Sequence, residues 1–378
     1  MPCRVAHLTS VHLPTDTRIF HKQCKTLARA GYDVTLIAPH AAGDVERDGV
    51  KVKAVKPSCS RTERFTNTIR SVYFAALEVN ASIYHFHDPE LIPVGVLLKM
   101  HGKRVIYDVH EDYTGGMEVR QWIPKSMRGA TALALNFYER LLARSCDRIV
   151  AATPIIANKF WPDRTRVVCN FPLKDELRAP ESIPYDQREP VVAFVGALGD
   201  ARGVRQMIEA AHIVSRQTPV KLMLGGPPLA SGARASFEAK NQDGLVEFLG
   251  FLSRPEIADL FARARIGIMT PLATRNAYNA LPTKLFEYMS AALPIITSDF
   301  PLYREIFGSV KCGLFVDPES PEAIAEAILW LLRHPADAAQ MGRNGERVIA
   351  DKYNWEHEAD TLLATYAELQ SLNSIRLQ

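Results

Sequence analysis

Short apolar runs, each closed by polar residues and separated by stretches of helical period, recur along most of the chain. "RVAHLTS" (4–10) predicts a strand, residues 18–30 a helix that Gly31 ends, and "DVTLIA" (33–38) the next strand. "SIYHFHD" (82–88) and "KRVIYDVH" (103–110) predict two more, with helix-like "ELIPVGVLLKMHG" between them. "CDRIVAAT" (146–153) and "RVVCNF" (166–171) extend the series. Strands that are apolar throughout, with polar residues only at their carboxyl ends, belong in a parallel sheet covered on both faces.

The pattern lapses over "PLKDELRAPESIPYDQREP" (172–190), whose four prolines and eight charges read as an interdomain linker. It restarts with "VVAFVG" (191–196), a helix near 203–216, "VKLMLGG" (220–226), "LVEFLGF" (245–251), a helix at 255–264, "IGIMTP" (266–271) and "LPIITSD" (293–299). The expected organisation is an N-terminal Rossmann-like domain over 1–171, the linker, a C-terminal Rossmann-like domain over 191–353, and a C-terminal helix over 354–378. That helix carries Trp355, Leu362, Leu363, Tyr366 and Leu369 at helical spacing, a face that fits either domain.

Composition narrows the class. A chain of 378 residues exceeds what one core usually serves, and 47% apolar residues supply two. A net charge of +3 gives no ground for nucleic-acid binding. Cys3, Cys24, Cys59, Cys146, Cys169 and Cys312 form no CxxC pair or zinc spacing, so they are expected as small buried hydrophobes in a reducing compartment. With no signal-peptide pattern and no 18-residue uncharged apolar run, the expectation is a cytoplasmic protein.

Ligands of doubly wound sheets bind at the carboxyl ends of the strands. In "FVGALGDARGVRQMIEA" (194–210), Gly196 ends a strand and Arg202 and Gly203 open a helix. Free N–H groups, the helix dipole and a guanidinium there suit a phosphate, and an ordinary strand–turn–helix is the equal alternative. In "ALPTKLFEYMSAALPIITSD" (280–299), Pro282 and Thr283 predict a helix start, with Lys284 and Glu287 on the outer face of its first turns. A lysine there opposes the helix dipole, which a bound anion would explain. Glu287 could accept a ribose diol, and a solvated i,i+3 ion pair is the plain alternative. Two phosphate-competent sites and a diol acceptor suggest a nucleoside diphosphate. The chain has no D-x-D, so cations rather than a metal are expected to neutralise it.

In the first half, "LTSVHLPTDTRIF" (8–20) offers His12, Asp16 and Arg18, "HFHDPEL" (85–91) His87 and Asp88, and "YDVHEDY" (107–113) His110, Glu111 and Asp112. Three strand ends rich in His and carboxylate favour a site. Without G-x-S-x-G, HExxH or GxGxxG, serine hydrolase, zinc protease and nicotinamide readings lack support. Residues 117–148 carry Arg120, Lys125, Arg128, Arg140, Arg144 and Arg148 around Trp122, Phe137 and Tyr138, either a solvated helix face or a contact with an anionic membrane.

Taken together, the chain resembles, nearly end to end, a retaining glycosyltransferase of the GT-B fold, family 4. The most specific part is similar to that family's E-x7-E region: Glu287 matches the second glutamate and Asn279 stands where the first would be, as in the branch reading N-x-L-P-x-K-x-x-E-Y-M. The resemblance implies two Rossmann-like α/β domains facing each other across a cleft. It assigns Glu287 to the donor ribose, Asn279, Ala280 and Leu281 to the donor sugar, and His110 to the reaction centre. Where the family has an arginine after the first glycine this chain has Ala197, and Arg202 corresponds to its lysine. Gly196, Arg202 and Lys284 are then left to hold the diphosphate. Asp16, Arg18, Glu111 and His87 are the acceptor-side candidates. The implied reaction moves a sugar from a UDP- or GDP-linked donor to a hydroxyl acceptor such as a lipid-linked saccharide, in surface polysaccharide or glycolipid assembly. No metal and no cofactor besides the co-substrate are expected. The competing readings are a nucleotide-sugar 2-epimerase on the same fold and a non-catalytic nucleotide-sugar-binding subunit.

Overall fold

The structure is a computed structural model that describes residues 2–110, 124–178, 183–227, 244–274, 277–278 and 280–376. It forms two compact units, Met1–Asn170 with Trp355–Gln378, and Phe171–Asn354.

The first unit is built on one sheet of β1 (Arg4–Leu8), β2 (Asp33–Pro39), β3 (Val45–Arg47), β4 (Val50–Val55), β5 (Ile83–Phe86), β6 (Arg104–Val109), β7 (Arg148–Ala151) and β8 (Thr165–Val167). The strand order is β3-β4-β2-β1-β5-β6-β7-β8, and every pair is parallel except β3–β4. That hairpin turns through Asp48 and Gly49, both at positive φ (52° and 76°), as a two-residue D-G turn of the I′ type requires. The connection after β1 winds as a π-helix over Thr17–Cys24 and continues as an α-helix over Lys25–Arg29, where one helix is expected from the pattern. The apolar core collects between β1, β5 and β6 and the helices Ile69–Val79 and Ile92–Met100, around Tyr84, Phe86, Tyr107, Leu91 and Leu98.

A polar layer lies on the other side of the same strands. Asp108 on β6 is fully buried and accepts from Arg18 Nη2 (2.7 Å) and Nε (2.9 Å), Gln23 Nε2 (2.9 Å) and His87 Nδ1 (3.0 Å). His87 donates to Asp108 from Nδ1, its Nε2 meets His7 Nδ1 (2.9 Å), and His7 Nε2 meets the Tyr366 hydroxyl (3.1 Å). The Tyr366 hydroxyl also meets His85 Nδ1 (2.8 Å). Burial first, then neighbouring histidines, hold His7 and His85 well below the usual imidazole range, so these two rings are neutral.

Tyr366 belongs to the helix Trp355–Arg376, and this polar chain is one reason the helix packs on the first unit. Trp355 Nε1 donates to Thr26 Oγ1 (2.9 Å), Glu358 accepts from the Cys169 backbone N–H (2.6 Å), and Glu368 pairs with Arg148 (3.0 Å). Trp355, Leu362, Tyr366 and Leu369 are buried beneath it.

The second unit holds β9 (Val191–Val195), β10 (Lys221–Gly225), β11 (Val246–Gly250), β12 (Ile266–Met269), β13 (Ile295–Ser298) and β14 (Gly313–Val316) in the all-parallel order β11-β10-β9-β12-β13-β14. The stretch expected as a linker is tied down along this unit: Glu176 forms a two-bond pair with Arg254 (both 2.8 Å), and the Tyr185 hydroxyl donates to the Arg265 carbonyl (2.9 Å). Cys24, Cys146, Cys169 and Cys312 are buried as expected, whereas Cys59 is exposed and Cys3 half-buried. Among the described residues no helix is long and apolar enough to cross a membrane.

The attachment of the last helix is testable. Tyr366→Phe removes one hydroxyl and strands two buried imidazole nitrogens, and each orphaned group costs about 1–3 kcal/mol. Urea denaturation followed by tryptophan fluorescence should show a loss of about 2–6 kcal/mol for the two groups together. A loss under about 0.5 kcal/mol, within the range of surface substitutions, would mean that the hydroxyl does not hold the helix.

Candidate functional site

Both sheets reverse their strand order at one point, and the crevice beyond the strand ends there is where doubly wound folds bind ligands. In the first unit the switch lies between β1 and β5, and in the second between β9 and β12.

Beyond β1 the chain turns sharply. Thr9 Oγ1 accepts from the N–H groups of Val11 (3.3 Å) and His12 (2.9 Å). Asp16 Oδ1 accepts from the N–H groups of Arg18 (2.8 Å) and Ile19 (2.9 Å) and so caps the following helix. Asp88, just past β5, binds the same turn through one oxygen: Oδ2 accepts from the Ser10 N–H (2.6 Å), Thr9 Oγ1 (2.8 Å) and Ser10 Oγ (3.2 Å). His12 sits between the two carboxylates, its Nδ1 3.5 Å from Asp16 Oδ2 and its Nε2 3.4 Å from Asp88 Oδ1. His110, immediately after β6, brings its Nε2 to 3.1 Å from His12 Nε2.

The charges follow from these contacts. Burial opposes a charge on His12, but the carboxylates of Asp16 and Asp88 beside its two ring nitrogens push it up to about 10. Burial would also raise both carboxyls, and it is outweighed: the bond to His12 and backbone N–H donors draw Asp16 and Asp88 down to about 2. His110 is pushed down to about 4, by burial first and by the charges of Arg18 and His12, with Asp108 pulling the other way. At neutral pH the cluster therefore holds a charged His12, two carboxylates and a neutral His110.

Of the residues expected on this side, His110 and Asp16 converge at the switch point, and His12 and Asp88 complete the group. Arg18 and His87 do not reach it. Arg18 is buried with its guanidinium committed to Asp108 and the Val168 carbonyl (2.9 Å), and His87 is fully buried with both ring nitrogens bonded. They hold the floor of the site rather than face an acceptor. Glu111 lies outside the described residues. His85, His87 and Asp108 bring ligand atoms within 4.8 Å of one another, but Arg18 already occupies Asp108 and His87 has no free nitrogen, so the cluster does not suit a cation.

In the second unit, Gly196 follows β9 and its N–H donates to the Gly225 carbonyl (2.8 Å). Asp200–Arg202 forms a single 3-10 turn, and Gly203 at φ +74° opens the helix Val204–Ser215. A Cβ on Gly203 would sit 2.1 Å from the Thr270 carbonyl oxygen, so only glycine lets this helix start so close to the end of β12. The neighbouring Thr270 hydroxyl is buried and has no hydrogen-bond partner. The Arg202 side chain is exposed.

The helix Thr283–Ser290 begins one residue earlier than it would with Thr283 as the cap: Pro282 occupies the cap position and makes no side-chain cap bond. Glu287 is not on an outer face but buried. Its Oε1 accepts from Arg254 Nη1 (2.9 Å) and its Oε2 from Lys284 Nζ (2.8 Å). Burial would raise the carboxyl, but Lys284 and Arg254 outweigh it and hold Glu287 at about 2, and so ionised. Lys284 thus makes the i,i+3 ion pair with part of its side chain exposed. Tyr288 anchors the helix beneath them by accepting from the Val195 N–H (3.2 Å) and donating to the Ile268 carbonyl (3.1 Å), which joins β9 to β12. Ala280, exposed, and Leu281, half-buried, precede the helix, and Asn279 lies outside the described residues.

Arg254 is the residue that sequence reasoning missed. It is the first residue of the helix Arg254–Arg263, a cation at the positive end of a helix, the same anomaly that singles out Lys284.

Comparison with known proteins bears on the family and the fold. The family described as Glycosyltransferase Family 4 matches residues 17–171, and the family described as Glycosyl transferases group 1 matches residues 175–348. The alpha-maltose-1-phosphate synthase of Mycolicibacterium smegmatis is 25% identical over 280 residues, 69% of this chain and 69% of its own. The D-rhamnosyltransferase WbpZ of Pseudomonas aeruginosa is 27% identical over 287 residues, 72% of this chain and 69% of its own. Among solved structures, sucrose-phosphate synthase from Thermosynechococcus elongatus superposes with a TM-score of 0.77 at 18% identity, over 98% of this chain and 100% of that one. With one glycosyltransferase family matched on each unit and the two-domain parallel α/β architecture shared, the chain is a glycosyltransferase of the GT-B fold and of the family 4 type.

Proposed function

We propose that the chain transfers a sugar from a nucleoside diphosphate sugar, UDP- or GDP-linked, to a hydroxyl acceptor with retention of anomeric configuration. The observation that carries this reading is the end of the second sheet at its switch point. There the Gly203 helix start is cleared of side chain, the buried Thr270 hydroxyl lacks a partner, and the Glu287 carboxylate is kept ionised between Arg254 and Lys284. The N–H groups at the helix start, with Arg202 and Lys284, take the diphosphate, and Gly196, whose own N–H stays on the Gly225 carbonyl, keeps a side chain out of its way. A carboxylate has about four acceptor positions and Glu287 uses two, so it has capacity for a ribose diol. Asn279 and the backbone at Ala280 and Leu281 meet the donor sugar, and His110 positions it.

As the glycosidic bond breaks, negative charge grows on the leaving diphosphate. Fixed cations and a helix N-terminus stabilise that charge more than the ground state, which is where such a site gains rate. The leaving phosphate oxygen takes the acceptor proton. Retention rests on the motif around Glu287, and independence from a metal rests on the cations and the absence of D-x-D.

Anionic lipid is the surface we assign to the helix Lys125–Ala143, consistent with a lipid-linked acceptor in polysaccharide or glycolipid assembly. Met127, Leu133, Phe137 and Leu141 are exposed along it, next to the exposed Arg140 and Arg144. Co-sedimentation with phosphatidylglycerol vesicles should show binding that weakens with salt and drops in Phe137→Glu. Equal recovery with neutral and anionic vesicles would remove this assignment.

The donor site is tested by thermal stabilisation with UDP, GDP and ADP. One diphosphate should stabilise the wild type, by about 2.7 kcal/mol at a hundred times Kd. Lys284→Ala should weaken that binding at least tenfold, about 1.4 kcal/mol. If no nucleotide shifts the wild type, the transferase reading fails.

A further inference from the structure

The ion group around His12 does more than hold a loop. Each carboxylate divides its oxygens. Asp16 caps the helix with Oδ1 and faces His12 with Oδ2, while Asp88 ties down Thr9 and Ser10 with Oδ2 and faces His12 with Oδ1. The turn is held without the imidazole. What the imidazole adds is a proton between two ring nitrogens 3.1 Å apart, His12 Nε2 and His110 Nε2.

Only one of those nitrogens can carry it. Two carboxylates favour the proton on His12, and burial together with the charges of Arg18 and His12 disfavours any charge on His110. His12 therefore donates at Nε2 and His110 accepts. A neutral imidazole that accepts at one nitrogen carries its proton on the other. In His110 that other nitrogen is Nδ1, which is buried and has no partner. A buried N–H without an acceptor costs about 1–3 kcal/mol, a strain that a bound oxygen would relieve.

We propose that His12 is a positioning residue that locks His110 in the Nδ1–H form, so that His110 offers a hydrogen-bond donor, and not a lone pair, to a hydroxyl oxygen of the transferred sugar. This rests on the transferase reading above for the identity of the ligand, and on the geometry of the first unit alone for the tautomer. The Asp88–His12–His110 series works like a hydrogen-bond partner behind a metal-bound or catalytic histidine: the outer group sets which nitrogen is free to act.

The experiment reads the tautomer directly, by 15N-histidine NMR of the full chain, alongside turnover. In the wild type His110 should carry its proton on Nδ1 from pH 6 to 9, and His12 should be doubly protonated throughout. His12→Phe should release His110 to a mixed or Nε2–H form and lower kcat/KM for the donor at least tenfold. His12→Gln, whose amide N–H can still donate to Nε2, should restore most of both. Asp16→Asn guards against a folding defect, because asparagine caps a helix as well as aspartate. It should bring the His12 titration down from about 10 towards neutrality, and with it the alkaline limb of kcat/KM. The groups facing the pair are Asp16 and Asp88 on His12, and Asp108, Arg18 and His87 around His110, and of these the variant alters only Asp16.

The proposal is overturned if His110 keeps the Nδ1–H form in His12→Phe, or if the tautomer changes while kcat/KM stays within twofold. A wild type that turns over no nucleotide sugar would instead refute the transferase reading and leave the NMR result to judge the tautomer.

Discussion

A fully buried aspartate organises the first unit. Desolvating a carboxylate costs several kcal/mol unless it is paired and fully hydrogen-bonded. Asp108 meets that condition with four donors, from Arg18, Gln23 and His87. Each donor fixes an element. Arg18 and Gln23 bind the helix after β1 to the sheet, and His87 sets the register of β5 against β6. From His87 the hydrogen bonds run on through His7 to Tyr366, and that chain helps to carry the last helix of the sequence onto the unit that begins it. The same ion pair lies under the switch point, so the residues above it stand on a floor that cannot shift without exposing a buried charge.

The strand series was legible because a parallel sheet covered on both faces leaves an apolar run with polar ends. The β3–β4 hairpin was not predicted, although "RDGV" announces it, because its strands are half exposed and three to six residues long. Among site residues, position past a strand end was a good guide and side-chain direction was not. His87 is one residue beyond β5, yet its N–H still bonds the Leu8 carbonyl, so it keeps the strand's alternation and points inward. Arg18 points inward because Asp16 starts the helix at Thr17, which puts the second helical residue over the sheet. His110 and Asp16 lie where the ladder has ended, so they are free to turn towards the crevice. The partner of the final helix was illegible for another reason. Its apolar face suits any core, and part of what decides the matter is one tyrosine hydroxyl meeting two histidines that lie far apart in sequence and side by side on β1 and β5.

The two units handle a buried carboxylate differently, and the difference separates a scaffold from a site. Asp108 has its oxygens enclosed by donors that belong to the framework, with no exposure left. Glu287 meets one donor on each oxygen, and one of the two, Lys284, is partly exposed and held by a flexible four-carbon stem. Arg254 is the fixed partner, itself braced by the two-bond pair with Glu176.

That asymmetry resolves why a lysine stands at the positive end of a helix. In the function proposed above, the cation that meets a diphosphate has a carboxylate three residues on as its other partner. An i,i+3 pair on a helix is worth only about 0.2–0.5 kcal/mol in isolation, so the exchange of Glu287 for phosphate is easily driven. The usual objection is that removing one partner of a buried ion pair leaves an uncompensated charge at a cost of about 3–5 kcal/mol. Here Arg254 holds Oε1, so a Lys284 that moved from Oε2 to a phosphate would leave Glu287 ionised with one oxygen open. The ion pair between Lys284 and Glu287 is therefore compatible with the phosphate contact proposed for Lys284, and it is Arg254 that makes the two compatible.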